Sequence, residues 1–161
     1  MRVDIWSDIV CPFCYIGKKR LEAAAEEADV ELEVHWHSFE LDPEAPQRQE
    51  VSNSERLAQK YGRSLAEVEE MQRNIAEMAK AEGIDFQWEN ANSGNTFNAH
   101  RLVHLAQSKG LGSEAKEAFF YSYMTQGLAI GERETLEDVA SRIGLNPVEV
   151  DDVLDSDEYA D

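Results

Sequence analysis

Cysteine is almost absent: Cys11 and Cys14 are the only two among 161 residues. That excludes a fold stapled by several disulfides and leaves any cysteine-based zinc site two ligands short. Basic charge is scarce too, with 15 Lys and Arg against 33 Asp and Glu and a formal net charge of −18. A field of that sign repels phosphate backbones and anionic lipid surfaces, so neither nucleic acid nor membrane is an expected partner. No stretch approaches the roughly 20 consecutive apolar residues of a membrane span, and the start, Met1-Arg2-Val3-Asp4-Ile5-Trp6, carries no apolar secretory segment. The expectation is a soluble, cytoplasmic protein. There are four prolines and no repeat or low-complexity tract, while 42% hydrophobic residues are enough to build a core.

Residues 2–7 mix Val3, Ile5 and Trp6 with polar neighbours and run into Cys11-Pro12-Phe13-Cys14, the pattern of a short strand ending in a turn. Leu21, Ala24, Ala25 and Ala28 then recur at helical spacing to about Asp29, with Cys11 at the cap and Pro12 at the first helical position. Residues 30–39 alternate apolar and polar with period two, which predicts a strand with one buried face. Together these make a βαβ unit with parallel strands and a right-handed crossover. Residues 41–50, with Pro43 and Pro46, read as a loop. Beyond it the signals are helical: 53–61, 64–82 from the capping box Ser64-Leu65-Ala66-Glu67, 96–109, 113–127, 134–143 and 147–157. No convincing strand follows Trp88.

Two cysteines separated by two residues, where a strand feeds a helix, suit dithiol chemistry. At a helix N-terminus, unpaired N–H groups and the helix dipole favour thiolate, the nucleophilic form, and the second thiol lies one turn inside. Cys11 is therefore expected to attack and Cys14 to resolve. A lowered thiol pKa raises the reactive fraction at neutral pH and makes the disulfide a stronger oxidant. Lys18 lies four residues beyond Cys14 and can support the thiolate, although the plainer reading of Lys18-Lys19-Arg20 is a solvated helix face. Trp6, Phe13, Tyr15 and Trp36 are candidates for an apolar rim beside the dithiol, or for core. Two other readings of the cysteines stay open. They are small buried hydrophobes, or they share a metal with His35 and His37 or with His100 and His104. Nothing in the sequence places either histidine pair beside Cys11, so no metal site is assigned.

Four segments together resemble the FrnE-type branch of the DsbA family: Trp6-Ser7-Asp8-Ile9-Val10-Cys11-Pro12-Phe13-Cys14-Tyr15-Ile16-Gly17, Phe39-Glu40-Leu41-Asp42-Pro43, Asn95-Thr96-Phe97-Asn98-Ala99-His100-Arg101-Leu102 and Ser156-Asp157-Glu158-Tyr159-Ala160. The resemblance spans essentially the whole chain. It implies an α/β, thioredoxin-like βαβ start with a large α-helical insertion, residues 1–42 forming the first part and residues 43–161 the loop and insertion. It implies a cytoplasmic dithiol oxidoreductase or disulfide isomerase acting on thiol or disulfide substrates, protein or small molecule, through Cys11 and Cys14 and without a cofactor. Pro12 and Phe13, inside the motif, are candidate substrate contacts. A related branch, the kappa-class glutathione transferases and hydroxychromene-carboxylate isomerases, has serine where Cys11 stands. There the Asn-Thr...His-Arg segment contributes to the thiol-ligand pocket, which makes Asn95 and Asn98 candidates for lining a groove, with capping around Thr96 the alternative.

The family also places a cis-proline loop, two antiparallel strands and a helix after the insertion. None of Pro12, Pro43, Pro46 and Pro147 fits that proline, so the closing strands of the thioredoxin fold are expected to be missing from this chain. On that expectation the second strand loses a neighbour and invites pairing with another chain, hence a possible homo-oligomer. A non-catalytic dimerisation or peptide-binding module is then the rival to the enzyme, and a metal-binding protein is the second rival.

Overall fold

Arg2–Ser7 forms strand β1, and the chain turns sharply after it, the Cys11 N–H reaching the Asp8 carbonyl at 3.4 Å. In the computed structural model, which describes residues 1–161, helix α1 follows at once over Pro12–Glu27. Pro12 occupies its first turn, where a missing N–H costs nothing. Cys11 is the capping residue.

Residues 30–32, read above as the start of a strand, instead lead into it, with Val30 still closing the helix. Asp29 adopts a left-handed conformation (φ 52°), and the N–H groups of Asp29 and Val30 return to the carbonyls of Glu26 and Ala25. That is a Schellman closure with aspartate where glycine is usual, so no glycine marks the boundary in the sequence. Strand β2 is therefore shorter, Glu33–Ser38, and pairs in parallel with β1 in the register Arg2↔Glu33 to Ser7↔Ser38. The sheet has these two strands.

Seven helices make up most of the molecule. After α1 come α2 (Asn53–Tyr61), α3 (Leu65–Ala81), α4 (Phe97–Ser108), α5 (Gly112–Met124), α6 (Arg133–Arg142) and α7 (Pro147–Leu154), with one 3-10 turn at Trp88–Asn90. Capping boxes at Ser52/Glu55 and Ser64/Glu67 start α2 and α3. Helix α5 stops at Met124, short of the expected end. The Leu128 N–H turns back to the Ser122 carbonyl, and Gly127 (φ 65°) packs so tightly on the Asn90 carbonyl that a Cβ would lie 2.6 Å from it. Helix α7 stops at Leu154 because Arg101 gathers the carbonyls of Val153, Ser156 and Glu158. Two of the motifs quoted above are thereby tied together.

One apolar core runs through the whole chain. It joins Ile9, Tyr15, Ile16 and Trp36 of the opening unit to Ile75, Leu102, Phe119, Phe120, Leu136 and Val150 of the helices. The outer edge of β2 carries no second strand, but Gln107 of α4 covers its middle, accepting from the Trp36 N–H at 2.8 Å and donating to the Trp36 carbonyl at 3.3 Å. The outer edge of β1 has no such cover. With the Glu33 N–H on the Met1 carbonyl, the alternation turns the amides of Arg2, Asp4 and Trp6 away from β2, and no bond outside the ladder reaches them.

Candidate active site

The turn from β1 into α1 sets both sulfur atoms at one end of the sheet. Cys11 and Cys14 are free thiols, each half-buried. The Cys14 thiol donates to the Cys11 sulfur, and this bond chiefly lowers the Cys11 pKa to about 7, against burial and the Asp8 carboxylate, which push it up. Cys11 makes no full capping bond of its own, but the N–H groups of Cys14 and Phe13 act on it at longer range. For Cys14 the same shared bond, its burial and the charge on Cys11 all raise the pKa far above that of an ordinary thiol, and the Asp8 N–H and the Lys116 ammonium pull weakly the other way. At neutral pH Cys11 is thus about half thiolate, whereas Cys14 keeps its proton.

Asp8 is buried directly under this turn. Its carboxylate accepts the Ile9 N–H at 2.7 Å, the Leu41 N–H at 2.7 Å and the His100 ring N–H at 3.2 Å. Burial raises the Asp8 pKa, but His100, the Leu41 amide and the Thr96 hydroxyl outweigh it and hold the carboxyl below its usual range. Burial also lowers the His100 pKa, so the ring stays neutral at neutral pH and donates to a charged acceptor. One side chain thereby fastens the dithiol turn to the loop after β2 and to the start of α4.

Cys11 opens into a cavity of about 610 Å³. Pro12 and Phe13 line it beside the thiol, and Phe13 is largely exposed. The opposite wall comes from α2 and α3, with Leu57, Tyr61, Met71, Ile75 and Met78 as its apolar body and Arg56, Lys60 and Arg63 as its basic groups. This is large enough for a drug-sized ligand or a short peptide segment, and its apolar lining with a few polar groups suits either.

The other residues singled out from sequence are placed elsewhere. Asn95 donates to the Pro43 carbonyl at 3.2 Å and accepts the Phe97 N–H at 3.0 Å, and Asn98 accepts from Arg101 at 3.0 Å; neither lines the cavity. Lys18 is buried against Glu22 and Glu117, 2.7 and 2.6 Å away, so its helix face is not solvated. Of the four aromatics, Tyr15 and Trp36 are core, Trp6 stacks on His37 with centroids 4.4 Å apart, and only Phe13 meets the cavity. His35 and His37 bond Glu33 and Asp4, and His104 bonds Ser38. No three His, Cys, Asp or Glu side chains are gathered to hold a metal ion.

Asp8 and Lys116 received no role at the dithiol from sequence, and His100 only that of a candidate metal ligand. One signal for Lys116 was present: it falls on the apolar stripe Ala115, Phe119, Phe120 and Tyr123, where a lysine on an amphipathic helix is out of place. The α2–α3 wall left no such signal, because only the tertiary fold brings it to the dithiol.

The comparisons with known proteins agree with this geometry. The family model described as the DSBA-like thioredoxin domain matches residues 2–161. A probable DsbA oxidoreductase from Streptomyces coelicolor superimposes with a TM-score of 0.89 at 36% identity, over 97% of this chain and 68% of that one. The cytosolic disulfide reductase DsbM from Pseudomonas aeruginosa, seen also with GSH, shares the fold at 19% identity and a TM-score of 0.64, over 95% of this chain and 70% of its own. The Bacillus subtilis protein YwbO is 28% identical over 163 residues, which cover all of this chain and 75% of that protein.

Proposed function

Because this chain belongs to the DsbA-like thioredoxin-domain family, we propose that it carries out thiol-disulfide exchange with Cys11 as nucleophile and Cys14 as resolving thiol. The observation that carries the reading is the asymmetry of the pair: a Cys11 pKa near 7 beside a Cys14 that keeps its proton, at the mouth of a 610 Å³ cavity. In the reducing direction the Cys11 thiolate attacks one sulfur of a substrate disulfide, a Cys11-substrate disulfide forms, and the first substrate thiolate leaves. Cys14 then gives up its proton and attacks the Cys11 sulfur. The Cys11–Cys14 bond forms and the second substrate thiolate leaves with the electron pair of the broken bond. Run backwards, the same steps oxidise a substrate dithiol, and a different substrate thiolate that attacks the mixed disulfide before Cys14 does forms a new substrate disulfide, releases the Cys11 thiolate and so isomerises the substrate.

Within that reading, Pro12 and Phe13 contact the substrate beside the thiol, and the apolar wall of α2 and α3 takes its body. Asn95 and Asn98 act at most indirectly, by holding the start of α4. The finer assignments follow the resemblance: the FrnE-type branch, a cytoplasmic setting, residues 1–42 as the catalytic unit and 43–161 as the helical insertion, and assembly into a homo-oligomer. For compartment, no helix is long and apolar enough to cross a membrane. The test is thiol release from a disulfide substrate by the reduced protein. Cys11→Ser should abolish it, and Cys14→Ser should stop at a stable mixed disulfide. Turnover that survives Cys11→Ser would overturn the proposal.

A further inference from the structure

Lys116 takes no part in the exchange as written, yet it is the most deeply buried basic residue of the molecule. Its side chain has no exposed surface, its ammonium donates to the Ser7 carbonyl at 3.2 Å, and it lies 5.5 and 5.4 Å from the centroids of the Trp36 and Phe120 rings. A buried ammonium costs free energy that an apolar side chain of similar length would not. The Ser7 carbonyl places the ammonium next to the dithiol turn. The titratable groups that feel its charge are Asp8 and Cys11 from the dithiol turn, Cys14 from α1, and His100 and His104 from α4. Its neighbour Glu117 is spent on Tyr15, Lys18 and Lys19.

We propose that Lys116 is a positioning residue for the second half of the exchange, its enclosed positive charge favouring the Cys14 thiolate as that sulfur attacks the mixed disulfide. The proposal rests on the dithiol function given above. Once Cys11 is bonded to substrate, it no longer carries the charge that suppresses ionisation of Cys14. Burial then opposes the thiolate, and the Asp8 N–H and the Lys116 ammonium favour it. The Cys14 proton passes to solvent, the Cys14 electron pair forms the bond to Cys11, and the substrate sulfur leaves as thiolate, so no other oxidant or reductant is needed. Burial lowers the Lys116 pKa to about 8, against the pull of Asp8 and the two sulfurs, which leaves it mostly charged at neutral pH. Ser7, which anchors the ammonium, ends β1 one residue before Asp8, so the charge is fixed relative to the turn that holds both cysteines.

The experiment uses the reduced full chain and the aromatic disulfide dithiobis-nitrobenzoate, which labels a reactive Cys11 whatever the natural substrate. Attack by Cys11 releases one thionitrobenzoate, and attack by Cys14 releases the second. Lys116→Met, which fills a similar volume without charge, should slow the second release about tenfold at neutral pH and raise its pH midpoint by about one unit, with the first release changed by less than about twofold. Lys116→Arg, which keeps the charge, should restore most of the second rate. Identical second-phase rates and midpoints in wild type and Lys116→Met would overturn the proposal, as would an Arg variant with native circular dichroism that is as slow as Met. If circular dichroism shows that Met disturbs the fold, Lys116→Gln serves as the neutral variant and is read by the same two criteria. A wild-type chain that releases only one equivalent defeats the dithiol function itself, and that outcome is distinct from a failure of the lysine's role.

Discussion

The first forty residues supply both sulfur atoms, whereas the far wall of the cavity and the buried lysine come from helices α2 to α5. The two regions also differ in how they are held. The dithiol turn is organised by contacts close in sequence: Pro12 in the first turn, the Cys14 thiol hydrogen-bonded to the Cys11 sulfur, the Ile9 N–H on Asp8. The helical region reaches the turn through contacts about ninety or more residues apart, His100 on Asp8 and Lys116 on Ser7. Local geometry makes a reactive thiol, and distant geometry decides what meets it and how the second thiol follows.

The sharpest way to separate the two contributions is at the sulfurs. Cys11→Ser is expected to reduce thiol exchange to near the rate without protein, because the remaining thiol, Cys14, does not line the cavity. Cys14→Ser should leave the first attack intact and accumulate mixed disulfide, detectable by mass. If Cys14→Ser turned over freely, the division of roles between the two thiols would be lost.

Next in size is the knot at Asp8, where the two regions are tied together. Asp8→Asn replaces a carboxylate that accepts three N–H groups with an amide that must turn one donor toward them, an expected loss of about 2–4 kcal/mol read by chemical denaturation. The pH dependence follows from the same group. His100 and Asp8 both have folded pKa values below their ordinary ones, so on acidification the unfolded chain binds protons first. Stability is therefore full above about pH 6.5, falls as pH drops through the folded pKa of His100, and falls again below about 3.9 as Asp8 protonates. In Asp8→Asn the lower of the two declines should shrink, leaving only the part due to the other carboxylates with lowered pKa values, such as Glu117. A denaturation midpoint flat from pH 8 to pH 3 in the wild type would show that the two regions are not coupled through this pair.

What could be read in advance follows the same division. The spacing of Cys11 and Cys14, the proline between them and the period-two run of Val34 and Trp36 report directly on β1, α1 and β2, because each depends on neighbours a few residues away. The helices from Asn53 onward were legible through their caps. Asp29 hid the start of β2, because its left-handed conformation, which aspartate adopts only occasionally, draws Val30 back onto α1. The cavity was not legible, since Met71 and Met78 look like any apolar stripe until α3 is placed opposite the thiol. Lys116 was written in the sequence as a charge on an apolar face, but its partner, the turn at Asp8, lies more than a hundred residues away.

A smaller effect is expected where the loop after β2 meets the helices. Gly94 and Gly131 both pack on the Gln47 carbonyl, and a Cβ would fall 2.3 and 2.1 Å from that oxygen. Backbone cannot yield as a side-chain end can, so Gly131→Ala should displace the loop and cost about 1–3 kcal/mol. Because the loop also carries Leu41, whose N–H holds Asp8, the same variant should shift the Cys11 pKa measured by thiolate absorbance. An unchanged Cys11 titration would mean that the loop does not pass its position on to the dithiol.

The smallest expected effect concerns the two edges of the sheet, and it compares the same two regions at one strand pair. On β2 the helical region covers the middle of the edge, Gln107 taking both the N–H and the carbonyl of Trp36; on β1 the outward amides of Arg2, Asp4 and Trp6 have no partner within the chain. Amide hydrogen exchange should therefore be slow at Trp36 and fast at Asp4 and Trp6, although all of them lie in one short parallel ladder. Gln107→Ala removes the side chain that caps the strand and leaves two backbone groups with only solvent to meet them, an expected cost of about 1–2 kcal/mol. It should bring Trp36 exchange up toward the rates of β1 and leave β1 unchanged, since the ladder between the strands is untouched. Equal protection of Trp36 and Asp4 in the wild type would mean that β1 is paired in solution by another strand. That strand would come from outside the residues described, and the site would then be bounded by a partner as well as by the helices.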